Sequence, residues 1–101
     1  MHELLKNKLP QVRALLKRYN VKRAYAFGSV CTPFFNESSD IDFLIAFEDN
    51  LDPLTMGENW WSIYYSLQDL TGRSVDLVTE NSLSNPYFVK VLDKTKTPIY
   101  E

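Results

Sequence analysis

The chain has 101 residues, of which 45% are hydrophobic, and its formal net charge is −2 at pH 7. A chain of this length buries roughly two-thirds of its unfolded surface around one core, so we expect a single domain over residues 1–101. The longest uninterrupted apolar run, residues 43–47, is far shorter than the roughly 18 residues of a membrane span, so no membrane partner is expected. A single cysteine, Cys31, and an N-terminus without a secretory apolar region favour a cytoplasmic location.

The charged residues are unevenly distributed. No lysine or arginine lies between residues 24 and 72, whereas the same stretch contains eight acidic residues. Phosphate backbones are held mainly by lysine and arginine, so duplex nucleic acid is not an expected partner.

The first half of the chain predicts a helix followed by two strands. Apolar residues recur at helical intervals over residues 3–19, which predicts an amphipathic helix that is kinked or restarted at Pro10. Val21–Phe27 is short and contains aromatic and β-branched residues, which is typical of a strand. Residues 31–39 contain proline, asparagine and serine and predict a loop or a short helix. A second strand is expected over about Ile41–Phe47.

The second half predicts a helix, a strand and a final helix. Residues 60–70 carry an apolar stripe at helical spacing, and Gly72 is suited to end that helix. Ser74–Thr79 reads as a third strand, and an Asn-Pro pair suits the start of a last helix over residues 85–94. The predicted fold class is therefore α/β (α+β), a small mixed β-sheet flanked by helices in the order α-β-β-α-β-α.

Two carboxylates lie one residue apart at the start of the second predicted strand. Because successive strand side chains point to opposite faces, Asp40 and Asp42 project together while Ile41 and Phe43 face the other side. Carboxylate oxygens are the hard ligands that Mg²⁺ prefers, and Mg²⁺ commonly shares them with substrate phosphates. The pair is therefore a candidate metal site.

A third carboxylate, Asp76, lies in the middle of an apolar strand, where an isolated charge is costly to bury. If this strand neighbours the one that carries Asp40 and Asp42, the three carboxylates converge and a divalent cation relieves their repulsion. Gly28 and Ser29 end the first strand, where glycine permits close approach of a phosphate and backbone N–H groups bind anions. Each motif is weak by itself, and together they are much stronger.

These residues together resemble the minimal nucleotidyltransferases, or MNT proteins, of the DNA polymerase β-like nucleotidyltransferase superfamily. Phe27-Gly28-Ser29, ten intervening residues and then Asp40-Ile41-Asp42 match the family's Gly-Ser and Asp-x-Asp motif in type and spacing. The segment around Asp76 resembles the strand that bears the family's third carboxylate. The likeness runs from about residue 21 to residue 78.

The resemblance implies a metal-dependent transfer of AMP from ATP to an acceptor hydroxyl, with release of pyrophosphate. In such an enzyme Gly28 and Ser29 bind the triphosphate. Asp40, Asp42 and Asp76 are catalytic and bind two Mg²⁺ ions, and Asp76 also helps to deprotonate the acceptor. The resemblance further implies an antitoxin that modifies a tyrosine of a HEPN-domain toxin, and it leaves open a homo- or hetero-oligomer.

Positions 30–33 lack the arginine that many relatives carry after Gly-Ser. The triphosphate charge would then rest on metal ions, on backbone N–H groups, and on Lys22, Arg23 or Arg73 if folding brings them near. One alternative is a catalytically weak antitoxin that neutralises its HEPN partner by binding, and another is a transferase that acts on a small molecule or an RNA end. Trp61 and Tyr65 are either buried under neighbouring helices or exposed as a docking patch, because the aromatic residues at 60, 61, 64 and 65 cannot all face one core.

Overall fold

The computed structural model describes the backbone of residues 1–101 and every side chain except that of Val91. Two short 3₁₀ helices, Gly28–Cys31 and Glu80–Ser82, follow the first and third strands. In chain order the helices and strands are α1 Glu3–Lys6, α2 Leu9–Arg18, β1 Val21–Phe27, β2 Ile41–Phe47, α3 Pro53–Thr71, β3 Val75–Thr79, α4 Pro86–Thr95 and β4 Thr97–Tyr100.

The predicted N-terminal helix consists of two helices, because the chain turns at residues 7 and 8 and restarts at Leu9. Pro10 lies in the first turn of α2, where its missing N–H costs no intrahelical hydrogen bond. Val12 and Leu16, one turn apart on α2, are fully buried in the main core. The restart predicted at Pro10 is therefore confirmed.

The ends of α3 and α4 have identifiable causes. Asp52 caps α3 by accepting a hydrogen bond from the backbone N–H of Thr55 at 3.1 Å, and Gly72 ends the helix with a φ of 67°. Asn85 caps α4 through its side-chain oxygen, which accepts from the N–H of Tyr87 at 2.9 Å. Among the described residues, no helix combines the length and the apolarity that crossing a bilayer requires.

The four strands form one mixed sheet with the order β3-β2-β1-β4. β1 is antiparallel to both β2 and β4, whereas β2 and β3 are parallel and α3 connects them. The strand β4 was not predicted, so the order α-β-β-α-β-α is incomplete at its C-terminal end. The predicted fold class, a small mixed sheet flanked by helices, is confirmed.

The two faces of the sheet carry different side chains. Ile41, Phe43 and Ile45 of β2 are fully buried on one face, in the core that also contains residues of α2 and α3. The opposite face carries a smaller cluster of Phe27 and Leu44 with residues of α4. Because side chains alternate along β2, Asp42 lies on this second, less covered face.

Candidate active site

Asp42 and Asp76 occupy directly paired positions on the parallel strands β2 and β3. Paired positions of a sheet project to the same face, so both carboxylates lie on the face opposite Ile41 and Phe43. Asp40 immediately precedes β2 and is exposed, as is Asp76, whereas Asp42 is half-buried. The structure therefore brings the three predicted carboxylates to one end of one face of the sheet.

Burial and neighbouring charge act together on Asp42. Burial first, and then the negative charges of Asp76 and Asp40, together raise the pKa of the Asp42 carboxyl group from 3.8 to about 6. Phe27 is paired with Asp42 across β1 and β2 and contacts Phe88 of α4, which explains why this end of the face is partly covered. The ionised form of Asp42 is therefore disfavoured, and a cation beside it would stabilise that form.

Gly28 lies directly against the Asp42 carboxylate. The φ of Gly28 is +74°, and a Cβ at this position would lie well within 3.0 Å of the Oδ2 of Asp42. Any side chain at position 28 would therefore combine an unfavourable backbone conformation with an overlap on the carboxylate. Glycine is required here by two independent constraints, and the turn that contains Ser29 lies next to the carboxylates as a result.

The backbone N–H of Gly28 donates a hydrogen bond to the Oγ1 of Thr95, the last residue of α4, at 3.0 Å. Ser29 is the second residue of the 3₁₀ helix Gly28–Cys31, and its carbonyl oxygen accepts hydrogen bonds from the N–H of Thr32 at 3.0 Å and from the Thr32 hydroxyl at 2.9 Å. Thr95 is a contact that the sequence did not reveal, because 67 positions separate it from Gly28. No local pattern reports a hydrogen bond of that separation.

The three carboxylates are donors that suit a hard divalent cation, but the described side chains do not form a complete coordination site. No group of three His, Cys, Asp or Glu side chains among those described is arranged so as to hold a metal ion. The three carboxylates are close enough for Asp40 and Asp76 to raise the pKa of Asp42, and their repulsion is the kind that a cation relieves. Oxygen donors of this type fit Mg²⁺ or Mn²⁺.

The basic residues expected to serve the triphosphate are engaged elsewhere. Lys22 forms an ion pair with Asp49, and Arg23 forms a two-point ion pair with Glu80 at 2.7 and 2.8 Å. Asp42 lies opposite Phe27 at one end of β1, whereas these two basic residues lie at the other end. The expectation that Lys22 or Arg23 approaches the Gly-Ser turn is wrong, because nearer carboxylates pair with both.

A cavity of about 430 Å³ also lies at that far end of the sheet. Its lining includes Phe47, Trp60 and Glu80 and contains none of the three aspartates. The carboxylate site is instead open to solvent, as the exposure of Asp40 and Asp76 shows. A protein side chain can reach such a surface more readily than an enclosed pocket.

The aromatic residues of α3 divide between core and surface. Trp60 and Tyr64 pack against the main core, whereas Trp61 is 54% exposed and Tyr65 is 58% exposed. The rings of Trp61 and Tyr65 stack with their centroids 5.7 Å apart. Of the two alternatives drawn from the sequence, burial under neighbouring helices is wrong for these two residues.

The sequence profile of the family "Polymerase beta, Nucleotidyltransferase" matches residues 10–101. A protein of Methanocaldococcus jannaschii that carries the provisional name protein adenylyltransferase is 37% identical over 82 residues, which is 81% of this chain and 80% of that protein. The range matched by the family profile contains the Gly-Ser turn and all three aspartates.

Solved structures show the same fold. One described provisionally as a minimal nucleotidyltransferase has a TM-score of 0.70 and 29% identity, and the alignment covers 97% of this chain and 96% of that one. A complex of a tri-AMPylated HEPN toxin of Shewanella oneidensis with its MNT antitoxin has a TM-score of 0.65 and 21% identity, with 94% and 71% covered. A toxin–antitoxin structure with AMP-PNP has a TM-score of 0.71 and 22% identity, with 91% and 72% covered.

The two complexes share too little sequence with this chain to show more than the fold. The family profile, in contrast, covers most of the chain, and the archaeal relative exceeds a third identity over most of both lengths. By these matches the chain is a nucleotidyltransferase and belongs to the minimal nucleotidyltransferase (MNT) family of polymerase β-like nucleotidyltransferases.

Proposed function

We propose that this protein transfers AMP from ATP to a hydroxyl group of a partner protein and acts as the antitoxin of a HEPN toxin. The observation that carries the proposal is the pairing of Asp42 with Asp76 beside the turn at Gly28. The name of the archaeal relative, protein adenylyltransferase, supports the reaction type. The tri-AMPylated HEPN toxin bound to an MNT antitoxin supports the class of acceptor.

The Gly28 turn is the proposed triphosphate site. Glycine leaves room for a phosphate to approach the backbone, and the hydroxyl of Ser29 provides a further donor beside it. The AMP-PNP held by a toxin–antitoxin structure of the same fold supports ATP as the nucleotide. The N–H of Gly28 would then donate to a phosphate oxygen instead of the Thr95 hydroxyl. The present hydrogen bond joins two neutral groups, and a phosphate oxygen is a stronger acceptor.

Asp40, Asp42 and Asp76 are the proposed ligands of Mg²⁺, with two ions expected. Bound ions would neutralise charge on the phosphates and on the leaving pyrophosphate. A bound cation would affect Asp42 most, because burial and two like charges already raise the pKa of its carboxyl group to about 6. A bound cation would favour its ionised form and remove that penalty.

Asp76 is the proposed general base. It is exposed, so an acceptor hydroxyl can approach it from solvent, and its strand position aims it at the same face as Asp42. The acceptor oxygen would bond to the α-phosphorus of ATP as the bond between that phosphorus and the bridging oxygen breaks. Pyrophosphate would leave with the electron pair, and the hydroxyl proton would pass to the Asp76 carboxylate.

A tyrosine of the HEPN partner is the proposed acceptor. The open carboxylate surface suits a side chain presented by another protein better than it suits a small molecule that needs an enclosing pocket. Transfer to a small molecule or an RNA end would require turnover in the absence of the partner, which a parallel incubation without the partner measures.

The test is the intact mass of the purified partner after incubation with this protein and Mg-ATP. We expect the partner to gain one or more AMP masses, and we expect Asp42→Asn to abolish the gain. Asp69→Asn is the matched control, because Asp69 is an exposed carboxylate on α3. Transfer that persists in Asp42→Asn, or AMP found only on small molecules or RNA, would contradict the proposal.

A second candidate function is neutralisation of the HEPN partner by binding alone. The exposed, stacked pair Trp61 and Tyr65 favours it, since aromatic residues of this kind are enriched at the centres of protein interfaces. This function predicts that Asp42→Asn still neutralises the toxin, whereas replacement of both Trp61 and Tyr65 by alanine does not. The catalytic proposal predicts the opposite result for Asp42→Asn.

A further inference from the structure

Arg73 joins two parts of the candidate site that are distant in sequence. It lies between α3 and β3, three residues before Asp76, and its side chain reaches the loop that leads to Asp40. The Nη2 of Arg73 donates to the carbonyl oxygen of Ser39 at 2.8 Å and also to that of Asn36. Its guanidinium carbon lies 4.6 Å from the centre of the Phe35 ring.

Two hydrogen bonds hold the backbone on both sides of Asp40. On one side, the carbonyl oxygen of Ser39 accepts from Arg73. On the other side, the N–H of Ile41 donates to the carbonyl oxygen of Ser74 at 3.0 Å. Asp40 is therefore attached, before and after, to the two residues that lead into β3, the strand that carries Asp76.

Other hydrogen bonds in this loop are local. The side-chain oxygen of Asn36 accepts from the N–H of Ser38 at 2.9 Å, and the N–H of Asn36 donates to the Ser39 hydroxyl at 3.1 Å. These bonds shape the loop but connect it only to itself. The guanidinium of Arg73 is the side-chain contact that connects residues 36–39 to the start of β3.

We propose that Arg73 is a positioning residue that places Asp40 relative to Asp76 for binding a divalent cation. The inference rests on the proposed function, in which both aspartates are metal ligands. A planar guanidinium can lie over the Phe35 ring while its Nη2 donates to two carbonyl oxygens, whereas a lysine ammonium has no planar face to lie over the ring. In this proposal the guanidinium of Arg73 holds the loop and is not a ligand of the triphosphate.

The experiment measures Mn²⁺ affinity by electron paramagnetic resonance, without nucleotide and without partner, together with hydrogen exchange of residues 36–41. The variants are Arg73→Ala and Arg73→Lys. Arg13→Ala is the matched control, because Arg13 also donates to a backbone carbonyl oxygen, that of Ile99 at 2.7 Å, but does not contact this loop. Circular dichroism confirms that each variant is folded under the conditions of measurement.

We expect both Arg73 variants to bind Mn²⁺ at least about tenfold more weakly than the wild type, as is common when a group that orients a metal ligand is lost. We also expect faster exchange over residues 36–41 in Arg73→Ala and no change in Arg13→Ala. If Arg73→Ala does not fold, Arg73→Lys keeps the charge and still tests the geometry.

Several results would overturn the proposal. One is unchanged Mn²⁺ affinity in both Arg73 variants. Another is a KM for ATP that rises in Arg73→Ala and returns to the wild-type value in Arg73→Lys, with no other change. That result would indicate a direct contact with phosphate. A wild-type protein that binds no Mn²⁺ would also overturn it. Weakened Mn²⁺ binding in a protein that transfers no AMP would support the positioning role while contradicting the proposed function, so the two failures are distinguishable.

Discussion

Gly28 packs so closely against Asp42 that position 28 has no room for a side chain, because a Cβ there would overlap the Oδ2 of the Asp42 carboxylate. The contact joins the end of β1 to the start of β2, whose paired positions Phe27 and Asp42 lie directly opposite each other. The turn proposed to bind phosphate and the carboxylate proposed to bind metal are therefore one packed unit. A side chain at position 28 must therefore displace the Asp42 carboxylate.

The three glycines of the chain provide a graded test of this relationship. Gly28→Ala introduces both a positive φ for alanine and the overlap with Asp42, whereas Gly72→Ala introduces only the positive φ, since nothing lies within 4 Å of a Cβ there. We expect Gly72→Ala to lower the free energy of unfolding by about 1 kcal/mol and Gly28→Ala to lower it by more. AMP transfer should fall about 100-fold in Gly28→Ala and remain near wild type in Gly72→Ala.

Gly57→Ala completes the series, because Gly57 lies inside α3 in open space. Alanine is a better helix former than glycine, so this variant should raise the free energy of unfolding by up to about 1 kcal/mol. Urea unfolding and the intact-mass assay measure both quantities. Equal losses in Gly28→Ala and Gly72→Ala would show that the overlap with Asp42 has no consequence.

The strands that position the site could be predicted from the sequence because their signals are local. Aromatic and β-branched residues that stop at Gly28 predicted β1, and the apolar run after the paired aspartates predicted β2, both with the bounds that the structure shows. The alternation of strand side chains predicted that Asp40 and Asp42 lie on one side, and the apolar neighbours of Asp76 identified its strand. β2 and β3 pair in parallel, with α3 as the connection between them, and this pairing brings Asp42 opposite Asp76.

The strand β4 was missed for a physical reason. It has only four residues and contains Pro98, which lacks the N–H that a central strand would need. β4 lies at an edge of the sheet, paired only with β1 among the described strands, where a proline is tolerated. The hydrogen bonds of Thr95 and Arg73 were also beyond prediction, because they join residues 67 and 34 positions apart and depend on the complete fold.

Asp42→Asn should stabilise the protein while it abolishes transfer. The pKa of Asp42 is raised from 3.8 to about 6 in the folded protein, so the folded state binds this proton more tightly than the unfolded state does. Below about pH 4 both states are protonated and the charge costs nothing, whereas above about pH 6 both are ionised and the full penalty applies. Because the group is half-exposed, we expect a gain of only about 1–2 kcal/mol at pH 7.5.

The measurement is urea unfolding of the wild type and Asp42→Asn between pH 4 and pH 8. The difference in free energy of unfolding should be near zero at pH 4 and should grow as the pH rises through 6. Asp69→Asn, the exposed control, should change stability by no more than about 0.5 kcal/mol. A difference that is independent of pH would mean that the Asp42 carboxylate carries no electrostatic penalty.

Mg²⁺ should stabilise the wild type in a pH-dependent way, because a proton and a cation compete for the Asp42 carboxylate. At pH 7.5 and a Mg²⁺ concentration 100 times the dissociation constant, the expected gain is about 2.7 kcal/mol. At pH 5, about one unit below the pKa of about 6, the affinity should be about tenfold weaker and the gain about 1.4 kcal/mol. Thermal unfolding with and without Mg²⁺ measures both, and an equal gain at the two pH values would exclude Asp42 as a ligand.

Thr95 should stabilise the free protein and compete with the nucleotide, because its hydroxyl accepts the hydrogen bond of the Gly28 N–H at 3.0 Å. Thr95→Val keeps the shape of the side chain but removes the acceptor, so we expect a loss of about 1 kcal/mol in the free energy of unfolding. If a phosphate oxygen of ATP takes the same N–H, binding restores what the variant lost. The increase in unfolding temperature on adding Mg-ATP should therefore be larger in Thr95→Val than in the wild type. Thr95→Ser keeps the hydroxyl and should match the wild type, whereas an equal ATP effect in all three proteins would place the triphosphate away from Gly28.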